Sequence, residues 1–90
     1  MFRIKEILHS GRKGIRGEPV DDYKYDGLVG CYAKFDINDI RACQGVHMVI
    51  SGHSFYDWWN TSPVIQLTKR DFDVYELETV NTIYILEEME

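Results

Sequence analysis

The stretch FDVYELETVNTIYILEE, residues 72 to 88, carries the clearest structural pattern of the chain. Its first half alternates two sets of side chains, Tyr75, Leu77 and Thr79 on one face and Val74, Glu76 and Glu78 on the other. A period of two is typical of a β-strand. Val80-Asn81 is then expected to turn the chain into a second strand, with Asn81 in a left-handed conformation. The stretch therefore predicts a β-hairpin.

Other short apolar stretches predict further strands around this hairpin. They are residues 2–8, 28–35, 46–51 and 63–68. Glycine, proline and aspartate separate them, and residues 10–27 are expected to form a long basic loop similar to the first loop of a Src-homology 3 barrel. About five or six strands, with turn signals about every 10 residues, predict an all-β fold, either a small Src-homology-3-like barrel or a curled antiparallel sheet with one short helical turn.

An α+β fold is the alternative, if residues 37–44 form a real helix. At 90 residues the chain is expected to be a single domain spanning residues 1–90.

The chain has no apolar stretch near the roughly 20 residues of a membrane span, and its first residues are charged rather than leader-like. Two cysteines are too few for a disulfide-rich secreted scaffold. We therefore expect a cytoplasmic protein that does not enter a membrane.

The residues that could carry chemistry do not form a motif. Cys31, Cys43, His47 and His53 are zinc-type ligands, but the cysteines lie 12 residues apart instead of forming a close pair. We expect no metal, no cofactor and no disulfide. The sequence also has no nucleophile elbow and no phosphate loop, which favours a protein that is not an enzyme.

The Gly-rich stretch GRKGIRG, residues 11 to 17, places Arg12, Lys13 and Arg16 in a loop where backbone and side chains could approach phosphate. With the nearby aromatic residues it could bind single-stranded nucleic acid by stacking. The net charge of -5 and the acidic residues at 21, 22 and 26 oppose this. Nucleic-acid binding is therefore the alternative function.

Aromatic residues gather in presumed loops, and they favour protein binding. They are Tyr23, Tyr25, Tyr56, Trp58 and Trp59. If Trp58 and Trp59 lie in a strand, one can be buried while the other stays on the surface. Tryptophan and tyrosine are enriched at binding hot spots. We predict that these aromatics contact a protein partner or close a homodimer, with Arg12, Lys13 and Arg16 at the rim.

Two segments resemble the closing portion of small uncharacterised β-proteins from bacterial genomes and mobile elements. They are WNTSPV, residues 59 to 64, and ELETVNTIYILE, residues 76 to 87. The resemblance implies a compact β-fold encoded beside phage or plasmid genes, and it brings no catalytic motif. Together with the aromatic residues, it predicts a non-catalytic adaptor or inhibitor domain.

Overall fold

Seven antiparallel strands form one sheet in the computed structural model, which describes residues 1–89. The strands are β1 (Phe2–His9), β2 (Tyr32–Lys34), β3 (His47–Ser51), β4 (Trp58–Asn60), β5 (Val64–Lys69), β6 (Val74–Thr79) and β7 (Thr82–Glu88). Their order in the sheet is β4-β3-β2-β1-β7-β6-β5. Two three-residue 3-10 turns, Tyr23–Tyr25 and Ile37–Asp39, lie in the connections.

The terminal hairpin is confirmed, and β6 pairs with β7 from Val74↔Glu87 to Glu78↔Ile83. The left-handed conformation expected at Asn81 is wrong, because Cys43 alone among the described non-glycine residues has a positive φ, of 68°. Neighbouring segments hold the turn instead. The Ser10 hydroxyl donates to the Val80 carbonyl at 2.7 Å, and the Ser62 hydroxyl accepts the Asn81 amide at 3.1 Å.

The core lies inside the curve of the sheet. Its fully buried side chains include Ile4, Leu28, Met48, Leu77 and Leu86. β1 is central, because it pairs with β2 on one side and with β7 on the other. A bulge interrupts its ladder with β7 between Ile4 and Glu6, and a bulge of this kind increases the local twist.

The sheet is strongly curled. Its edge strands β4 and β5 stand at opposite ends of the strand order, yet residues 61–63 are sufficient to connect them. Because the four steps from Asn60 to Val64 span at most about 14 Å, the two edges must approach each other there. No ladder joins β4 to β5 within residues 1–89, so the sheet stays open.

The all-β class is confirmed, but the expected five or six strands and the closed barrel are not. The additional strand is β4, which lies in a segment expected to be a connection. The strand expected at residues 28–35 shortens to β2, since Gly27 and Gly30 adopt φ of 79° and 95° and the chain turns between them. The α+β alternative is wrong, because residues 37–44 contain only the Ile37–Asp39 turn as helix.

Candidate functional site

The two tryptophans of β4 point to opposite faces of the sheet. Trp59 is half-buried, and its Nε1 donates a hydrogen bond of 2.9 Å to the hydroxyl of Tyr84 on β7. Trp58 is 56% exposed, and its ring stacks on His47 with centroids 5.8 Å apart. The alternation of a strand therefore gives one tryptophan to the interior and one to the surface.

Four aromatic side chains close one side of the core, and we call them the aromatic cap: Tyr25, Tyr56, Trp59 and Tyr84. The Trp59 ring lies 5.1 Å from Tyr25 and 5.2 Å from Tyr56, between centroids. Burial raises the pKa of Tyr84 to about 12, against the opposing effect of the hydrogen bond from Trp59. The cap fixes β4 against the centre of the sheet.

His53 organises the loop before β4. Its Nδ1 accepts the amides of both Phe55 and Tyr56 at 2.9 Å, and its Nε2 lies 2.8 Å from the carbonyl oxygen of Asp26. Because a carbonyl only accepts, the proton of the neutral ring is on Nε2. In the sequence His53 was considered for chemistry, as a zinc-type ligand, and this structural role was not predicted. The spacing of two and three residues to the bonded amides resembles local side-chain capping and was the available signal.

An open groove runs along β4. It has a volume of about 450 Å³, and residues 55–60 line it. Phe55, which the sequence analysis missed, is 82% exposed at one end, and Trp58 lies beside it in the strand. We call residues 55–60 the groove surface. Its lining is largely aromatic, and Asp57 is an exposed charged residue on it.

The ladder between β3 and β4 shows which backbone groups of β4 are not bonded to β3. The Ile50 amide donates to the Asp57 carbonyl at 2.8 Å, and the Thr61 amide donates to the Val46 carbonyl at 2.9 Å. Hydrogen-bonded pairs alternate in an antiparallel ladder, so Met48↔Trp59 is also such a pair. The N–H and C=O groups of Trp58 and Asn60 therefore point away from β3, off the edge of the sheet.

The basic loop is fastened to the sheet by one of its cations. Arg16 makes two hydrogen bonds of 2.8 Å to the carboxylate of Glu78 on β6 and one of 2.9 Å to the carbonyl of Ser10. The guanidinium lowers the pKa of Glu78 and the carboxylate raises the pKa of Arg16, chiefly through these hydrogen bonds. Arg16 is thus turned toward Glu78, while Arg12 is exposed on the loop.

Lys13 lines a different cleft, of about 470 Å³, together with Tyr23 and Tyr25. Asp21 and Asp22 line the same cleft. The structure therefore brings two cations of the basic loop, Lys13 and Lys24, beside two of the aromatic residues singled out in the sequence. It does not give this cleft a uniform positive charge.

The cysteines are both free. The Cys31 thiol is buried and donates to the Gly27 carbonyl at 3.0 Å, and burial raises its pKa. Cys43 is exposed. Residues 1–89 contain no group of three or more His, Cys, Asp or Glu side chains placed to hold a metal ion. In the same residues, no helix has the length and apolar character needed to cross a membrane.

Comparison with protein-family models, curated proteins and solved structures finds no match for this chain. The resemblance of residues 59–64 and 76–87 to small β-proteins of mobile elements therefore stays a prediction. The function is therefore inferred from the geometry of the groove surface and of the basic loop.

Proposed function

We propose that this protein is a non-catalytic adaptor or inhibitor domain that binds a protein partner through the groove surface. The observation that carries the proposal is the placement of Trp58, 56% exposed beside an open aromatic groove. A large apolar side chain in this position gains more from contact with a partner than from water. The proposal includes a bacterial or phage origin and a cytoplasmic location.

Rigid support makes Trp58 suitable as a binding residue. Its neighbour Trp59 donates a hydrogen bond to Tyr84, and His47 stacks on the ring of Trp58. A side chain that is already held in place loses little entropy on binding. The five aromatics predicted as one surface thus divide their roles: Tyr25, Tyr56 and Trp59 support the groove, whereas Trp58 and Tyr23 are exposed.

His53 supports a non-catalytic role because both of its ring nitrogens are used for structure. Its Nδ1 accepts two backbone amides, and its Nε2 lies 2.8 Å from the Asp26 carbonyl oxygen. A general base needs a free nitrogen within reach of the substrate proton. The buried thiol of Cys31, with its raised pKa, is a poor nucleophile as well.

The two tryptophans give the test. We expect Trp58→Ala to weaken partner binding at least about 30-fold, as loss of a hot-spot residue does, and to change stability by less than about 0.5 kcal/mol. Trp59→Ala should instead cost about 3–5 kcal/mol of stability. The measurement is capture of a partner from bacterial lysate, followed by titration of the purified partner and urea denaturation of each variant.

Ile65→Ala on β5 is the matched control, because Ile65 is also exposed, at 55%, but lies on the other edge strand. It should bind as the parent does. A folded Trp58→Ala variant that keeps full affinity would overturn the proposal.

A second candidate is binding of single-stranded nucleic acid at the cleft of Lys13, Tyr23 and Tyr25. Two lysines beside two tyrosines support it, whereas Asp21 and Asp22 in the same cleft oppose it. If the protein has this function, its affinity for a labelled oligonucleotide should fall steeply as the salt concentration rises. This salt dependence should weaken when Arg12, Lys13 and Arg16 are all changed to Gln. Binding that is insensitive to salt would eliminate it.

A further inference from the structure

The two edges of the sheet differ in how much of their backbone is open. At the start of β5, the Val64 amide donates to the Gln44 carbonyl at 2.9 Å, and the Val64 carbonyl accepts the Cys43 amide at 2.8 Å. The other end of β5 carries the positive charge of Lys69, followed by Arg70. Covered backbone and charged residues are common ways to protect an edge strand. β5 is therefore protected at both ends.

β4 lacks these protections. Its three residues are Trp58, Trp59 and Asn60, which carry no charge and include no proline. The backbone groups of Trp58 and Asn60 point off the edge, and both residues also line the groove. Alternating N–H and C=O groups along an edge are satisfied by the backbone of another extended chain.

We propose that the partner contributes an extended segment that pairs with β4 as an eighth strand of the sheet. This inference rests on the proposed function, and it names the kind of partner. The segment would carry an apolar side chain to cover Trp58 and a basic side chain near Asp57. Its backbone hydrogen bonds would supply affinity, and these two side chains would supply specificity.

Charge favours such a segment over a second copy of the chain. Each copy carries a net charge of -5, and Asp57 adds an exposed carboxylate at the beginning of the edge. Two copies meeting at β4 would bring like-charged molecules together, whereas a basic segment complements the edge. The occupant is therefore an extended, basic and apolar peptide segment.

The test uses pools of blocked hexapeptides that contain one lysine and one fixed aliphatic residue, added to the ¹⁵N-labelled full chain. We expect the amides of Trp58 and Asn60 to shift and to gain protection from hydrogen exchange, while the amides of Ile65 and Gln66 on β5 stay unchanged. N-methylation of the peptide backbone at the pairing positions should weaken binding by about tenfold or more, because it removes the donors.

Two protein variants check the edge and the charge separately. Asn60→Pro removes an N–H that points off the edge and leaves the Met48↔Trp59 pair, so it should weaken the peptide about as much as N-methylation does. Asp57→Asn should reduce the preference for lysine over glutamine in the peptide. If Asn60→Pro does not fold, the N-methylated peptide still tests the same hydrogen bonds on the unchanged protein.

The outcomes separate this inference from the proposed function. A partner that requires Trp58, combined with peptides that bind equally well after N-methylation, would overturn strand addition and leave the proposed function standing. Absence of shifts at Trp58 and Asn60 with every pool at about 1 mM would also overturn strand addition. Shifts at these amides that depend on protein concentration alone would assign the edge to a second copy, against the inference.

Discussion

At the scale of single residues, the hydrogen bond between Trp59 and Tyr84 links two strands that are not neighbours in the sheet. It joins an edge strand to a central strand through the interior and gives both polar groups a partner. An indole N–H and a phenol hydroxyl would each cost free energy if buried alone. The pairing allows the protein to use large aromatic residues in a small core.

Tyr84→Phe tests this bond. We expect a loss of about 1–3 kcal/mol at neutral pH, because Trp59 keeps its N–H but loses its acceptor. Urea denaturation measures the loss, and a Tyr23→Phe variant, changed at an exposed tyrosine, is the control. Equal stability of the two variants would show that the bond contributes nothing.

The raised pKa of Tyr84 also predicts that the stability of the protein falls at alkaline pH. The pKa of Tyr84 is about 12 in the folded protein and about 10 when unfolded, so the unfolded chain loses its proton first. Its contribution to stability is complete below about pH 10 and is lost as the pH rises toward 12, by up to about 1.4 kcal/mol per pH unit. Tyr84→Phe should flatten the stability profile between pH 9 and 11, whereas parallel profiles would contradict the assignment.

At the scale of elements, β3 shows how one strand separates core from surface. Met48 is 0% exposed and its neighbour Val49 is 49% exposed. We expect Met48→Ala to cost about 2–5 kcal/mol and Val49→Ala less than about 0.5 kcal/mol. Urea denaturation of both variants measures the difference. Similar losses at the two positions would mean that the face toward the core is assigned wrongly.

The basic loop is an element held by its ion pair with β6. We expect Glu78→Gln to speed trypsin cleavage after Arg12 and Lys13, because Arg16 loses its charged partner, with little change in the midpoint of global unfolding. The pKa of Glu78 is lowered in the folded state. The ion pair therefore stabilises the loop fully when the pH is above about 4.3, the pKa of an unfolded glutamate. This stabilisation is lost as the pH falls through the lower pKa of the folded state.

Glu76→Gln is the control for the loop, because Glu76 pairs with Arg70, at 3.7 Å, and not with Arg16. Cleavage after Arg12 and Lys13 should stay at the parent's rate in this variant. Equal acceleration by both substitutions would point to a general loosening of β6 and against the ion pair.

The elements also show what the sequence could reveal. The alternation of side chains in β6 and in β3 was sufficient to predict both strands from the sequence. Each strand has one face in the core and is long enough to show a period of two. β4 has three residues, too few for any period, and its pairing with β3 decides its structure. Gly27 and Gly30 were visible in the sequence, but it did not reveal that both adopt positive φ and shorten the predicted strand to β2.

At the scale of the whole molecule, the aromatic cap could not be predicted from local pattern. Tyr25, Tyr56, Trp59 and Tyr84 come together because the sheet curls, and the curl depends on the strand order β4-β3-β2-β1-β7-β6-β5. The tryptophans, the tyrosines and the turn signals were all visible in the sequence. Which of them meet depends on pairings between residues far apart in the chain, such as Phe2↔Glu88.

These distant pairings predict that β7 is indispensable. β7 lies between β1 and β6, so a chain ending at residue 79 would expose the facing sides of both strands. We expect the shortened chain to give a poorly dispersed proton–nitrogen spectrum, and the full chain to refold in milliseconds to seconds, as β-rich topologies do. A shortened chain with a dispersed native-like spectrum would contradict the central position of β7.

The pairing of β1 with β7 also bears on how the chain could be reordered. The Met89 amide donates to the Met1 carbonyl at 2.8 Å, so the two ends of the sheet's central pair lie side by side. A short peptide joining them would turn β7 and β1 into a continuous hairpin, and the backbone could then be opened in the connection between β5 and β6. Such a circular permutant would keep every strand pair, and its new termini would lie beside the end of β7, where the Glu88 amide donates to the Asp73 carbonyl.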